Sequence, residues 1–313
     1  MLFISNIMIN FTIMNVLKYI IFSLFIVFSS CRKDPNEENS NISNPFENSN
    51  YGVFEFTDYE PLADKPLNIH FYIPSSIDRT NAPILFVFPG MNRNADDYLE
   101  TWISLADQYQ IMVFSFEFSD YYYPNSTSYQ LGYIRDFNQN FTNEDIWTFS
   151  LIEPVFDKIK TNLDYNGNSY NMFGHSAGAQ FVHRFIQFKP LSRVNKAVSA
   201  NAGWYTLPDI TIDFPYGLKG TSISSNDLEN SFLKKLEIHL GQNDTNANDP
   251  SLNITDGANL QGAHRLSRGK YFIMNSDSIA QSMNFSSNWV KKEVPNVGHQ
   301  QVNMAVFAAQ EIF

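Results

Sequence analysis

The stretch "YNMFGHSAGAQFVHRF", Tyr170 to Phe185, begins as an apolar run of strand character and ends with helical spacing. Between the halves stand Gly174, His175, Ser176, Ala177 and Gly178, a match to G-x-S-x-G. Two glycines remove side chains where a strand and the following helix crowd, so Ser176 can occupy a sharp, strained turn. Its hydroxyl then projects above the C-terminal end of the strand. Ala177 opens the helix, and its amide points to where negative charge would develop on a substrate oxygen. On this reading the turn is tight because it presents a nucleophile.

A serine hydroxyl needs a base to take its proton, and the base needs an acid to fix its tautomer. Of six histidines, His70 and His239 lie within strand-like runs, and His183 sits on the helix after Ser176. These three read as core or surface residues, and His175 should point away from its neighbour. His299, in "EVPNVGHQQ", occupies a glycine-containing loop between a last strand and a last helix, where an imidazole can reach over the sheet. His264, in a helical run, is the reserve. "LEIHLGQNDT" ends a strand and puts Asp244 in the turn beyond it, with Asp249, Asp256, Asp209 and Asp213 as other carboxylates within reach. The chain order Ser176, Asp244, His299 is that of strand–turn–helix serine hydrolases. A second oxyanion donor is expected from "FVFPGMNRNADDY", where Gly90 lets the backbone swing in and the Met91 amide donates, with Asn92 or Arg93 adding polar contacts.

Around these motifs, strand-like and helix-like patterns alternate from Tyr51 onward. "YGVFEF" and "LNIHFYI" predict an opening antiparallel pair, and "PILFVFPG" and "IMVFSFEF" predict strands buried on both faces. "NADDYLETWISLADQY" predicts a helix, as does "EDIWTFSLIEPVFDKIKTNL", in two halves around Pro154. "VNKAVSANA", "LEIHLG" and "WVKKEVP" supply further strands, with helical segments at Ala258–Arg268 and about Gln301–Ile312. The alternation predicts an α/β fold, a mostly parallel sheet of about eight strands covered by helices on both faces. Two loops exceed what such a fold needs. Ser119–Glu144 carries five tyrosines and Gly203–Asn226 carries Trp204. Tyr122, Tyr123 and Trp204 are therefore candidates to line a substrate mouth.

These segments resemble an α/β-hydrolase from Tyr51 to Phe313. "FPGMNRNADDY", "GHSAGA", "GQNDT" and "VGHQ" are similar to motifs of secreted serine esterases of the polyhydroxybutyrate-depolymerase and feruloyl-esterase-like group. The resemblance implies carboxylic ester hydrolysis through an acyl-enzyme. The substrate would be an acylated carbohydrate, a plant phenolic ester or a polyester. A peptidase of the same fold, and a catalytically silent binding protein that keeps the fold, are the rival readings. No cysteine cluster, H-E-x-x-H or phosphate-binding glycine loop is present, so no metal or organic cofactor is expected.

The net charge is -11, which repels phosphate backbones and argues against a nucleic-acid partner. The single cysteine, Cys31, excludes an internal disulfide. "MNVLKYIIFSLFIVFSSC" has a Met14 start, Lys18, an apolar run from Tyr19 to Phe28 and two serines before Cys31, the layout of a secretory signal. An uncleaved anchor helix over Ile7–Phe28 is the alternative. The serines and cysteine resemble a bacterial lipoprotein signal. That resemblance implies lipidation at Cys31, a membrane anchor, and a place in the cell envelope, on the outer membrane or cell surface. Residues 1–31 are then the signal segment, with Met14 as the expected true start, and the Asn-rich 32–50 a disordered tether like that of Bacteroidetes-type surface lipoproteins. Residues 51–313 form the catalytic domain.

Overall fold

Alternating apolar and polar residues make β1 (Tyr51–Phe56) and β2 (Leu67–Tyr72) half-buried strands, and they pair antiparallel from Tyr51 opposite Tyr72 to Phe56 opposite Leu67. The next strand, β3 (Ile84–Phe88), is apolar throughout and buried at every position. A continuous run of that kind belongs in the middle of a sheet covered on both faces. The computed structural model describes residues 44–313. Over these residues the chain continues through α1 (Ala95–Tyr109), β4 (Met112–Glu117), α2 (Ile152–Leu163), β5 (Tyr170–His175), α3 (Ala177–Phe188) and β6 (Val194–Ala200). It ends with α4 (Ser225–Phe232), β7 (Lys235–Gly241), α5 (Arg265–Ser282), β8 (Trp289–Val294) and α6 (Gln301–Ile312).

The eight strands form one sheet in the order β1-β2-β4-β3-β5-β6-β7-β8. Only β1/β2 and β2/β4 are antiparallel; all pairs from β4/β3 to β7/β8 are parallel. One face is closed by α1 and α6, whose Leu99, Trp102, Met304 and Ala308 pack with Val87, Phe173 and Val198. On the other face α2, α3 and α5 bury Phe156, Phe181, Phe185 and Phe272 against Phe86, Met172 and Ile238. The carboxyl ends of β3, β5 and β7 therefore open onto one rim, where loops from distant parts of the sequence meet. Among the described residues no helix is long and apolar enough to cross a membrane.

Three expectations need correction. Residues 44–50, expected as the end of the tether, belong to the same compact unit as the rest of the described residues. Phe46 is 1% exposed and packs edge-on against Phe54, Phe71 and Phe114, while Asn44 and the Phe46 carbonyl are tied to Asn162 and Arg79. One aromatic residue in a polar run thus pins the end of the expected tether to the core. The signal segment, Met14, Cys31 and the tether up to residue 43 lie outside the described residues. The helix expected at Ala258–Arg268 is broken: Asp256–Asn259 makes a single turn, and α5 starts only at Arg265, capped by His264. Lastly, α2 is one helix. Pro154 falls in its first turn, where the missing amide costs no hydrogen bond.

Candidate active site

Glycine is obligatory on both sides of Ser176. A Cβ on Gly174 would lie 2.2 Å from the Gly178 carbonyl oxygen, and one on Gly178 would lie 1.9 Å from that of Phe88. Strand β5, helix α3 and strand β3 are thus in backbone contact, and no side chain fits between them. Ser176 pays with strain: its φ is 57° and ψ -111°, a conformation that costs an L-residue on the order of 1–3 kcal/mol and persists only where its surroundings enforce it. The Ser176 amide donates to the Ala200 carbonyl at 3.0 Å, which fixes the turn to the neighbouring strand.

His299 lies above this turn. Its Nδ1 is 2.7 Å from Asp244 Oδ2 and its Nε2 is 3.1 Å from Ser176 Oγ. An ionised carboxylate only accepts, so Nδ1 carries the proton and Nε2 is free to accept from the serine hydroxyl. Asp244 is 4% exposed, in the turn after β7, where its amide donates to the Gly241 carbonyl. Gly241 lets the two loops touch, since a Cβ there would lie 2.6 Å from the Val297 carbonyl oxygen. Arg265, 2% exposed, lies 3.6 Å from the other Asp244 oxygen and 2.9 Å from Asp249. That second contact holds the Asp249 carboxyl well below the usual range. Asp249 therefore belongs to Arg265, and Asp244 is the carboxylate facing His299. Asp209 accepts from its own loop at Thr211, Asp213 pairs with Lys219, and Asp256 begins the isolated turn.

The remaining histidines are occupied elsewhere. His264 caps α5, its Nδ1 accepting from the Ser267 amide, so the reserve base is a helix cap. His183 is buried and accepts from the Thr206 amide, and burial holds it well below its usual range. His70 and His239 contact Glu117 and Glu237 within the sheet. His175 is buried directly beneath His299, ring centroids 4.7 Å apart, and is hydrogen-bonded at Nδ1 to the Tyr98 hydroxyl at 2.9 Å. Burial first, then His299 and Arg265, keep it neutral. Its ring supports the His299 ring from below.

Gly90 brings the loop after β3 against the serine. A Cβ there would lie 3.7 Å from Ser176 Cβ and 3.0 Å from the Tyr98 hydroxyl oxygen. Among the described residues neither the Met91 nor the Ala177 amide donates to a backbone carbonyl, which leaves both free beside Ser176. Tyr129 holds this loop by donating to the Pro89 carbonyl at 2.7 Å. Arg93 holds it too, through the carbonyls of Phe118, Tyr123 and Asn125.

Those contacts explain the tyrosine-rich segment differently from the sequence. Tyr123 is 2% exposed and donates to the Lys65 carbonyl; Tyr122 packs on the core and on Tyr121. Neither lines the cavities beside Ser176; the segment braces the Gly90–Arg93 loop and reaches the smaller cavity through Ser126 and Gln130, not through these tyrosines. Trp204 does line one, a cavity of about 230 Å³ shared with Ser176, Gln130, Gln180 and Leu252. The Arg184 guanidinium stacks 4.2 Å from the Trp204 ring and is lowered by burial to about 9. A second cavity of about 450 Å³ lies on the His299 side of the serine. Arg265 and Tyr98 escaped the sequence reading, because each approaches the serine only through tertiary packing. Gln180 lies one helical turn beyond Ser176, its amide donating to the Ser176 carbonyl at 3.1 Å, a spacing the sequence did carry. Among the described residues no group of three or more His, Cys, Asp or Glu is placed to hold a metal ion.

Comparison with solved structures gives the same fold. The chain is 38% identical to poly(aspartic acid) hydrolase-1 from Sphingomonas sp. KT-1, covering 83% of this chain and 97% of that one at a TM-score of 0.80. It is 29% identical to LpqC, a poly(3-hydroxybutyrate) depolymerase from Bordetella parapertussis, over 84% and 89% of the two chains, also at 0.80. The fluorophosphonate-binding serine hydrolase FphF from Staphylococcus aureus shares the fold alone, at 13% identity over 84% and 98% of the chains and a TM-score of 0.51. No family model and no curated protein matches the chain.

Proposed function

The chain belongs to the α/β-hydrolase family, and from that premise we propose that it is a serine esterase working through Ser176, His299 and Asp244. The observation that carries this reading is the unbroken hydrogen-bonded chain from Asp244 through His299 to Ser176. Ser176 Oγ attacks the ester carbonyl carbon while its proton passes to His299 Nε2. The Asp244 carboxylate keeps the opposite nitrogen protonated and stabilises the imidazolium. Negative charge moves to the carbonyl oxygen, where the amides of Met91 and Ala177 receive it. Each such donor is worth roughly a factor of 10²–10³ in rate. The intermediate collapses as His299 returns its proton to the departing alcohol oxygen, leaving an ester on Ser176. Water, deprotonated by the same nitrogen, then releases the acid. The neutral His175 beneath means that the imidazolium forms without a second positive charge against it.

The named substrates of the two most similar structures described above are polymers joined by ester or amide links. They support a polyester or other acylated polymer as substrate, alongside the acylated carbohydrates and plant phenolic esters that an aromatic lining at Trp204 suggests. Amide cleavage is a second reading, favoured by the poly(aspartic acid) hydrolase. A silent binding protein would have no reason to keep Ser176 strained under an aligned base. We further propose that Cys31 is lipidated and that the enzyme works tethered in the cell envelope; mass spectrometry of the mature protein should find its N-terminus at Cys31.

Protein lacking residues 1–31 is expected to hydrolyse short p-nitrophenyl acyl esters, and Ser176→Ala to lose this while keeping the wild-type circular dichroism. Equal rates for the two proteins would refute the esterase reading.

A further inference from the structure

Ser176 stands between two cavities that differ in their chemistry. The smaller is lined by Trp204, Leu252 and Ala177 beside Ser126, Gln130, Gln180 and Asn253, and it carries the Arg265 guanidinium. The larger is lined by Asn92, Asn94, Asp97, Ser251 and Gln301, together with His299. Met91, Ser176 and Ser251 border both; His299 borders only the larger, and Ala177 and Arg265 only the smaller.

This asymmetry orients the substrate. In the esterase mechanism His299 Nε2 must hand its proton to the oxygen that leaves, so that oxygen and the group attached to it lie on the side His299 lines. The acid part then falls on the Trp204 side. The leaving side is rich in hydrogen-bonding groups. Asn94 contributes its side-chain amide alongside Asp97, and Gln301 is braced by donating to Thr101 Oγ1 at 2.8 Å. Among the described residues no Lys or Arg lines it, and its one fixed charge is the Asp97 carboxylate. Such a surface matches a group carrying several hydroxyls. An alkyl chain would desolvate these amides without return, and a carboxylate-bearing chain would face Asp97.

We propose that the larger cavity binds the alcohol part of the substrate and that this part is a neutral polyol, a sugar or glycerol unit, with Asn92, Asp97 and Gln301 receiving its hydroxyls. The assignment rests on the esterase reading and narrows it: the acylated-carbohydrate class is favoured over an anionic polymer on the leaving side.

The test compares kcat/KM for acetate esters of one acid and different alcohols: glyceryl monoacetate, n-butyl acetate and O-acetyl-lactate, with p-nitrophenyl acetate as an activated reference. Glyceryl monoacetate is expected to exceed both n-butyl acetate and O-acetyl-lactate by about tenfold or more, the scale of one or two hydroxyl contacts in an open cleft. Gln301→Leu should reduce the glyceryl-to-butyl ratio about tenfold, and Asp97→Asn should raise O-acetyl-lactate relative to glyceryl monoacetate. Because each ratio is taken within one protein, a loss of folded fraction does not move it. Equal or better cleavage of n-butyl acetate or O-acetyl-lactate overturns the proposal while leaving the esterase reading intact. Failure to cleave even p-nitrophenyl acetate overturns both.

Discussion

Replacing Asp244 by Asn changes one atom of a buried side chain and reverses one hydrogen bond. The carboxylate accepts from His299 Nδ1 at 2.7 Å. An amide nitrogen turned to the same place donates instead, so Nδ1 must accept and the imidazole proton moves to Nε2. That nitrogen lies 3.1 Å from Ser176 Oγ and can then no longer take the serine proton. Wrong-tautomer substitutions of this kind lower kcat by about 10⁴ in serine proteases, equivalent to about 5.5 kcal/mol of barrier. Stability should change little, because the volume is kept and Arg265 retains Asp249 at 2.9 Å. The assay is kcat for p-nitrophenyl acetate together with a thermal melt, with Asp249→Asn as the control that leaves the imidazole contact untouched. A rate for Asp244→Asn within about tenfold of wild type, in a protein melting at the wild-type temperature, would refute the reasoning, since a tautomer switch cannot be so mild.

Gly178→Ala should be severe. Its methyl carbon would meet the Phe88 carbonyl oxygen at 1.9 Å, so α3 must move off β3, with an expected loss on the order of 3 kcal/mol or more in urea unfolding. Phe46→Ala should cost about 3–5 kcal/mol, because the ring is 1% exposed among three other phenylalanines; a loss below about 1 kcal/mol would mean that the segment is not docked. Stability should also fall in acid. Burial alone would raise Glu237, but the hydrogen bond from His239 and the charges of Lys196 and Lys292 outweigh it and bring the carboxyl down from 4.5 to about 2. Its stabilisation is complete above pH 4.5 and is lost as the pH falls towards 2, by about 3 kcal/mol. Burial lowers His239 as well, so the unfolded chain binds the extra proton first and the sign is the same. Urea midpoints measured from pH 7 to 3 should therefore decline in the wild-type protein, and a flat profile would refute this.

The sheet was legible because its central strands are unbroken apolar runs. The serine was legible because two glycines flank it at a strand-to-helix change. Asp244 and His299 followed from chain order, a rule about topology and not about local propensity. What escaped has physical causes. Helix α5 is polar along much of its length and is held by Phe272 and Ile273 packing on the sheet, so periodicity favoured the wrong window upstream of it. The tyrosines at 122 and 123 suggested a substrate mouth by composition, but which way they face depends on Arg93 gathering the carbonyls of their loop. No spacing in the sequence shows a guanidinium folding back across 25 to 32 residues. Phe46 was hidden likewise, as a single aromatic in an Asn-rich run carries no pattern.

The most direct measurement is covalent. Folded protein treated with a fluorophosphonate and digested should yield one modified peptide, with the adduct on Ser176, and the labelling rate should collapse in His299→Ala. An adduct on a different serine, or undiminished labelling without the imidazole, would contradict the claim that Asp244, His299 and Ser176 act as one unit.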